Sequence, residues 1–289
     1  MKTCLCLLIK FRKTRSRDIV EFFYISGLLT KNQLKMKKLI LISSLFISTV
    51  FFGQTGKKLP QNIIQITYVQ VENEDFSEFE SKELNHWSKV SDNAIKNGKQ
   101  VGWAFFRLVN SEFIEDETKP THAFVNIYKD FKQMADAPIE VWGNAETVLG
   151  IDPSLISTDD LSKTMMMQTY KVVDNIPTEE FKYAVWNYAK PKNMSGFLEE
   201  NSKLWKPYFE KRINKNGFAG WGVAARVYPQ GMNESSVFSW DHYTSLESAM
   251  LALSPTDFDG SILSKSKMTE YDPDGFRYRV LVELLMFNM

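Results

Sequence analysis

Apolar and polar residues alternate over 63–71, a stretch rich in β-branched side chains, and a period of two predicts a strand. From position 76 the period changes. Phe76, Phe79, Glu83, Trp87, Val90 and Ala94 recur at spacings of three and four, which gives a helix one mainly apolar face. Asp75 or Ser77 can cap it, and Asn97-Gly98 stops it. Strands are predicted over 101–109 and 123–128, separated by a polar loop over 110–120. A helix begins at 131–135 and is limited by Pro138, Ser157 to Asp160 read as the cap of a further short helix, and 165–173 reads as a closing strand.

The second half repeats this order. Strands are predicted over 183–189, 221–228, 237–243 and 276–287, and helices over 197–215 and 246–253. Pro207 should kink the first of these helices or reset its start, and Asn216-Gly217 ends it. A shift of 118 residues superimposes Phe79 on Phe197, Trp87 on Trp205, Gly102 on Gly220 and Trp103 on Trp221. With only seven tryptophans in 289 residues, two Trp–Trp matches at one offset argue for duplication. Tyr128 matches Tyr243 at an offset of 115, and Tyr170-Lys171-Val172-Val173 aligns with Tyr278-Arg279-Val280-Leu281.

Each half therefore has the order βαββαβ of a ferredoxin-like unit. Two such units in tandem, each with an aromatic helix followed by Gly-Trp on its second strand, resemble the dimeric α/β barrel superfamily, with two subunits fused in one chain. The resemblance implies an α+β fold in which two four-stranded sheets pack into a pseudodimeric barrel with helices outside. It is specific for fold. The superfamily includes cofactor-free monooxygenases, isomerases and haem-handling enzymes as well as proteins without a known role.

Charge is distributed unevenly. Residues 1–53 hold ten basic and two acidic side chains, which leaves 25 basic and 33 acidic residues over 54–289, a net charge of −8. That balance argues against nucleic acid as a partner. Met36-Lys37-Lys38 followed by the apolar run 39–52 reads as a secretory signal peptide, too short for a membrane span. The expected organisation is an upstream extension over 1–35, a signal peptide over 36–53 cleaved near Gly53–Gln54, repeats over 54–175 and 183–289, and a linker over 176–182. The expected destination is the periplasm or the medium, with no membrane span in the mature chain. Both cysteines, Cys4 and Cys6, precede the cleavage point, so disulfides, thiol catalysis, cysteine–zinc sites and a lipoprotein anchor are excluded from the mature chain.

Chemical motifs are sparse. His86, His122 and His242 form no metal-ligand pair, and no metal or cofactor is called for. Met165-Met166-Met167 reads as packing, Asp272-Pro-Asp-Gly as a turn, and Gly217, Gly220 and Gly222 precede a strand rather than a phosphate-binding helix. Strand alternation places Trp103, Phe105 and Arg107 on one face, and Asn126 with Tyr128 on a face of the neighbouring strand. Trp87 on the helix completes the preferred ligand position, where Arg107 would grip an anion and the rings would stack. The matching cluster in the second half is Trp221, Asp241 and Tyr243; Ala225 stands where Arg107 would repeat, and Arg226 faces the opposite way. The favoured function is a non-catalytic exported protein that binds a small aromatic or carboxylate ligand or a protein partner. The alternative is a cofactor-independent or haem-dependent, monooxygenase-like enzyme of the dimeric α/β barrel type.

Overall fold

The computed structural model describes residues 61–110, 119–178, 180–254 and 260–289. The expected extension and signal peptide lie outside them. Eight strands run β1 (Ile63–Val71), β2 (Gly102–Leu108), β3 (His122–Tyr128), β4 (Ser162–Ile176), β5 (Tyr183–Ala189), β6 (Phe218–Tyr228), β7 (Val237–Tyr243) and β8 (Phe276–Asn288). They close into one antiparallel barrel in the order β1-β3-β2-β8-β5-β7-β6-β4. The first four strands are thus ordered β4-β1-β3-β2 and the last four β8-β5-β7-β6, and the seams are β2–β8 and β4–β6.

Alternation within the strands divides the side chains between two environments. Ile66, Tyr68, Phe106, Tyr170, Trp186, Tyr188, Phe238 and Val282 fill the barrel. Trp103, Phe105, Trp221, Val223 and Tyr243 face outward, beneath the helices. Gly222 leaves room for the Trp240 ring, which a Cβ there would meet at 2.0 Å. Arg226 points into the barrel, as its alternation required; it donates to the Tyr170 hydroxyl (2.8 Å) and Ser235 Oγ (2.7 Å) and pairs with Glu234.

Helix α1 comprises Phe76–Lys82, a π-helical turn at Glu83–Trp87, and Ser88–Lys96. Helix α4 repeats this form as Met194–Glu200, a π-helical turn at Asn201–Trp205, and Lys206–Glu210. Between them lie α2 (Phe131–Glu140) and α3 (Ala145–Leu149); α5 (Leu246–Leu253), α6 (Gly260–Leu263) and α7 (Met268–Tyr271) follow α4. A π-turn shifts the backbone ladder by one residue and strands a carbonyl. In α1 the Ser88 hydroxyl donates to the Leu84 carbonyl (2.6 Å), and in α4 the Asn201 side-chain amide adds a bond to the Phe197 carbonyl (2.9 Å), which also accepts from the Asn201 backbone.

Three local expectations change. Pro138 does not end its helix but lies inside α2, close enough to the C-terminus to cost little of the ladder. No helix follows Ser157 to Asp160; Thr158 donates to buried Glu83 (2.8 Å), and a short 3-10 turn, Pro153–Ile156, precedes it. Register also separates Tyr170 from Tyr278. Tyr188 lies opposite Tyr278, whereas its counterpart Tyr68 lies opposite Met166, so the four-residue sequence match is out of phase.

Candidate functional site

The preferred first-half residues come together, but around a protein side chain. Trp142, from the β3–β4 connection, packs against Trp87 at 6.3 Å and joins the cluster containing Tyr128 and that containing Trp103. Trp87 donates to the Ile156 carbonyl (3.1 Å), and Asn126 accepts from Gln100 (2.8 Å). Trp103 stacks with Phe105 and Phe124, which stack on each other at 5.0 Å.

The anion beside Arg107 is Glu80 of α1, not a ligand carboxylate. The guanidinium donates two bonds, from Nε at 2.7 Å and from a terminal nitrogen at 2.6 Å. His122, fully buried, lies 2.9 Å through Nε2 from Glu80 Oε1, the oxygen that also accepts from Arg107 Nε, and 2.9 Å from the Thr121 hydroxyl through Nδ1. An ionised carboxylate only accepts, so Nε2 carries the proton. Burial alone would raise the Glu80 carboxyl, but the bonds and charges of His122 and Arg107 outweigh it and hold it below its ordinary value. Burial lowers His122, against the opposing pull of Glu80.

Both shifts weaken the fold in acid. Neutral His122 favours the native state, and that contribution fades as pH falls below the ordinary imidazole value of about 6.5. The Glu80 contribution is present above the unfolded carboxylate value of about 4.3 and is lost as pH falls through its lower native value. Glu80→Gln should cost about 2 kcal/mol at neutral pH, roughly 4–8 °C in Tm, and should flatten the lower part of the acid titration of stability. Thermal melts across acid pH check this; a melting profile identical to wild type would refute it.

The second half has the open site. Trp221, Asp241 and Tyr243 line one cavity of about 990 Å³ between the outer sheet face and helices α4, α5 and α7. Its walls are Phe197, Trp205, Phe209 and Phe276, with Ser248, Leu251 and Met268 closing the helical side. The floor is polar. Asn187 on β5 donates to Asp241 Oδ2 (2.7 Å) and accepts from Arg279 Nε (2.7 Å), so one amide bridges a carboxyl and a guanidinium. Burial raises the Asp241 carboxyl to about 6, although Asn187 and Arg279 draw it down. Burial likewise holds the Tyr243 phenol protonated.

Register explains why the second half is open in this way. Asn187 lies opposite Ser239 and Arg279; the equivalent Thr67 lies opposite Phe124 and Met167. Val223 stands where the first half has Phe105, as the 118-residue offset predicts. Two rings that fill the first half are thus a hydroxymethyl and an isopropyl group in the second. Sequence reasoning missed Asn187, Ser239 and Arg279. An asparagine in the otherwise apolar Tyr-Ala-Val-Trp-Asn-Tyr-Ala strand was the available signal.

The lining does not fit a haem. It contains no histidine or cysteine. Met268 would serve iron only beside a histidine. His242 faces into the barrel, stacked on Phe181 at 3.8 Å and bonded to Thr178 at 2.8 Å. Among the described residues no group of three or more potential ligands could hold a metal ion, and no helix is long and apolar enough to cross a membrane.

No family model and no curated protein matches the sequence. Solved structures do. A candidate monooxygenase of Fusobacterium nucleatum subsp. nucleatum superposes with a TM-score of 0.50 at 12% identity, covering 79% of this chain and 94% of that one. A candidate monooxygenase of Lactobacillus acidophilus follows at 0.48 and 10%, covering 79% and 96%. An anthrone oxidase-like protein gives 0.48 and 11%, covering 80% and 94%. The chain has the dimeric α/β barrel fold, with all eight strands of the barrel supplied by one polypeptide.

Proposed function

We propose that the chain is a cofactor-independent enzyme that binds a flat aromatic substrate in the second-half cavity and uses Asp241 as its general base. The observation that carries this reading is a carboxyl raised to about 6, aimed by Asn187 into an aromatic-walled cavity. The barrel shared with a candidate monooxygenase supports the enzymatic alternative over a purely non-catalytic binder, for which no observation speaks. Asp241 would take a proton from an acidic CH2 of an enolisable aromatic ketone. The resulting enolate, spread over the ring system, supplies the electrons that reduce dioxygen. The balance is one CH2 and one O2 giving one C=O and one H2O. Trp205 and Trp221 would hold the rings by stacking, and the apolar walls would keep water from the anion.

Oxygen uptake with a panel of enolisable aromatic ketones tests the reading. kcat/KM should rise with pH through about 6, as the free Asp241 ionises. Uptake that is absent across the panel, or independent of pH there, would count against it. Ser239→Phe, which copies Phe124, should close the floor and weaken binding of aromatic probes at least tenfold, or about 1.4 kcal/mol. Calorimetric titration checks this, and undiminished binding would place the ligand elsewhere.

We further read the two halves as ferredoxin-like units over 54–175 and 183–289, joined by 176–182, a reading supported by their identical strand orders. We also propose export to the periplasm or medium, supported by the basic and apolar run 36–53. The protein recovered from an exported fraction should begin near Gln54 by intact mass. A cytoplasmic species that retains residues 1–53 would overturn this.

A further inference from the structure

The cavity's charge is opposite to that of the chain around it. Residues 54–289 carry an excess of acid, with 33 acidic against 25 basic side chains. The cavity is lined by Lys211, Arg212, Lys215 and Arg279 against only Asp241 and Asp272. Burial raises both acids, and Asp241, raised to about 6, loses its charge as pH falls through that value.

Arg279 is held ready for an anion. Its Nε is fixed by Asn187 at 2.7 Å and the guanidinium lies over the Phe276 ring at 5.7 Å, while among the described residues both terminal nitrogens hydrogen-bond only the Ala252 carbonyl, at 3.5 Å. That distance is at the limit of a hydrogen bond, and the guanidinium makes no ion pair among the described residues. Lys211 and Lys215 make none either. A planar fork with its rear nitrogen anchored and its front pair weakly engaged is the arrangement that takes a carboxylate in two parallel bonds. On the other side of the Asn187 amide stands Asp241, which needs a neutral, proton-bearing atom rather than a second anion.

We propose that the substrate of this cavity carries an anionic group on its aromatic frame, gripped by Arg279, with the reacting carbon at the opposite end beside Asp241. The proposal rests on the cavity reading above and adds the substrate's charge and orientation. The base would thereby meet the acidic CH2 while the ligand's own negative charge is kept across the amide from it. The lysines at the mouth draw the anion in from a protein surface that otherwise repels it.

The test uses the full chain and a matched pair of probes, naphthalene-2-carboxylate and naphthalene-2-carboxamide, which share ring and shape and differ in charge. At neutral pH the carboxylate should bind at least about tenfold more tightly, and only its affinity should fall as salt is raised. Arg279→Gln should abolish the preference by weakening the carboxylate alone; Arg279→Lys should keep part of it. Protonation of Asp241 should strengthen carboxylate binding as pH falls through about 6 and leave the amide unchanged. Equal affinities in the wild type, or a preference that survives Arg279→Gln, would overturn the anionic substrate while leaving the aromatic cavity in place. Failure of both probes to bind would overturn the cavity reading and this inference together. If Arg279→Gln does not fold, the wild-type salt dependence decides: a carboxylate affinity indifferent to salt would refute the proposal.

Discussion

Asp241→Asn should lower kcat/KM for the enolisable substrate by about 10²–10⁴-fold while leaving substrate affinity within a few-fold. The substituted amide has the same shape and still packs between Asn187 and Tyr243, so the cavity survives. What is lost is the carboxylate that Asn187 aims into the cavity. Tyr243, held protonated by burial, cannot take its place as a base. The wild-type rise of activity through about pH 6 should vanish from whatever residual rate remains. A variant that turns over at the wild-type rate, or that keeps the same pH profile, would remove Asp241 from the chemistry. Separate measurement of binding is needed because a loss confined to KM would mark a residue that only holds the ligand.

Much of the architecture was legible because it depends on local alternation. The outward facing of Trp103, Arg107, Asp241 and Tyr243, and the inward facing of Trp240, His242 and Arg226, follow from a period of two. The barrel was reached through duplication and element order. What failed was of another kind. Glu80 sits 27 residues from Arg107 and 42 from His122, on a helix position whose neighbours suggest a solvated face. Only the packing of α1 on the sheet brings the three together. Trp142 likewise comes from a connection without periodicity, so nothing local marks it as the filler of the first-half space. The π-turns in α1 and α4 are one-residue shifts in hydrogen bonding that apolar spacing does not resolve.

The location of the cavity was partly readable. Applying the 115-residue offset one step further pairs Phe124 with Ser239, and the 118-residue offset pairs Phe105 with Val223. Both comparisons say that the second half has lost two rings from its outer face. Arg107, unrepeated because Ala225 stands at the matching position, points to the first half instead. The sheet arginine that lines the cavity, Arg279, lies opposite Asn187 on a strand whose sequence match was out of phase. A slip of register exchanges neighbours along a whole strand, so a short motif match is a poor guide to which side chains meet.

Expression of 54–175 and 183–289 as separate chains should give two polypeptides that do not fold alone. Each would retain its own four strands and helices but would lose both seams, β2–β8 and β4–β6. The interior suffers more. Phe106 packs on Trp186 at 5.1 Å, Tyr68 on Trp186 at 5.9 Å and Tyr170 on Phe238 at 5.1 Å, and the hydroxyls of Tyr68 and Tyr188 meet. Every one of those contacts crosses between the halves. Uncovering a buried aromatic costs about 2 kcal/mol, so these six inner side chains amount to roughly 12 kcal/mol, as much as a typical domain's whole stability. Separation would also leave Tyr68 and Tyr188 hydroxyls without each other and break the bond from Asn288 to the Ser88 carbonyl of α1 (2.8 Å). Mixing the two chains should restore a cooperative thermal transition and near-ultraviolet dichroism that neither gives by itself. If either half unfolds cooperatively as a monomer, the inner faces are not mutually dependent, and the barrel is two domains in contact rather than one core.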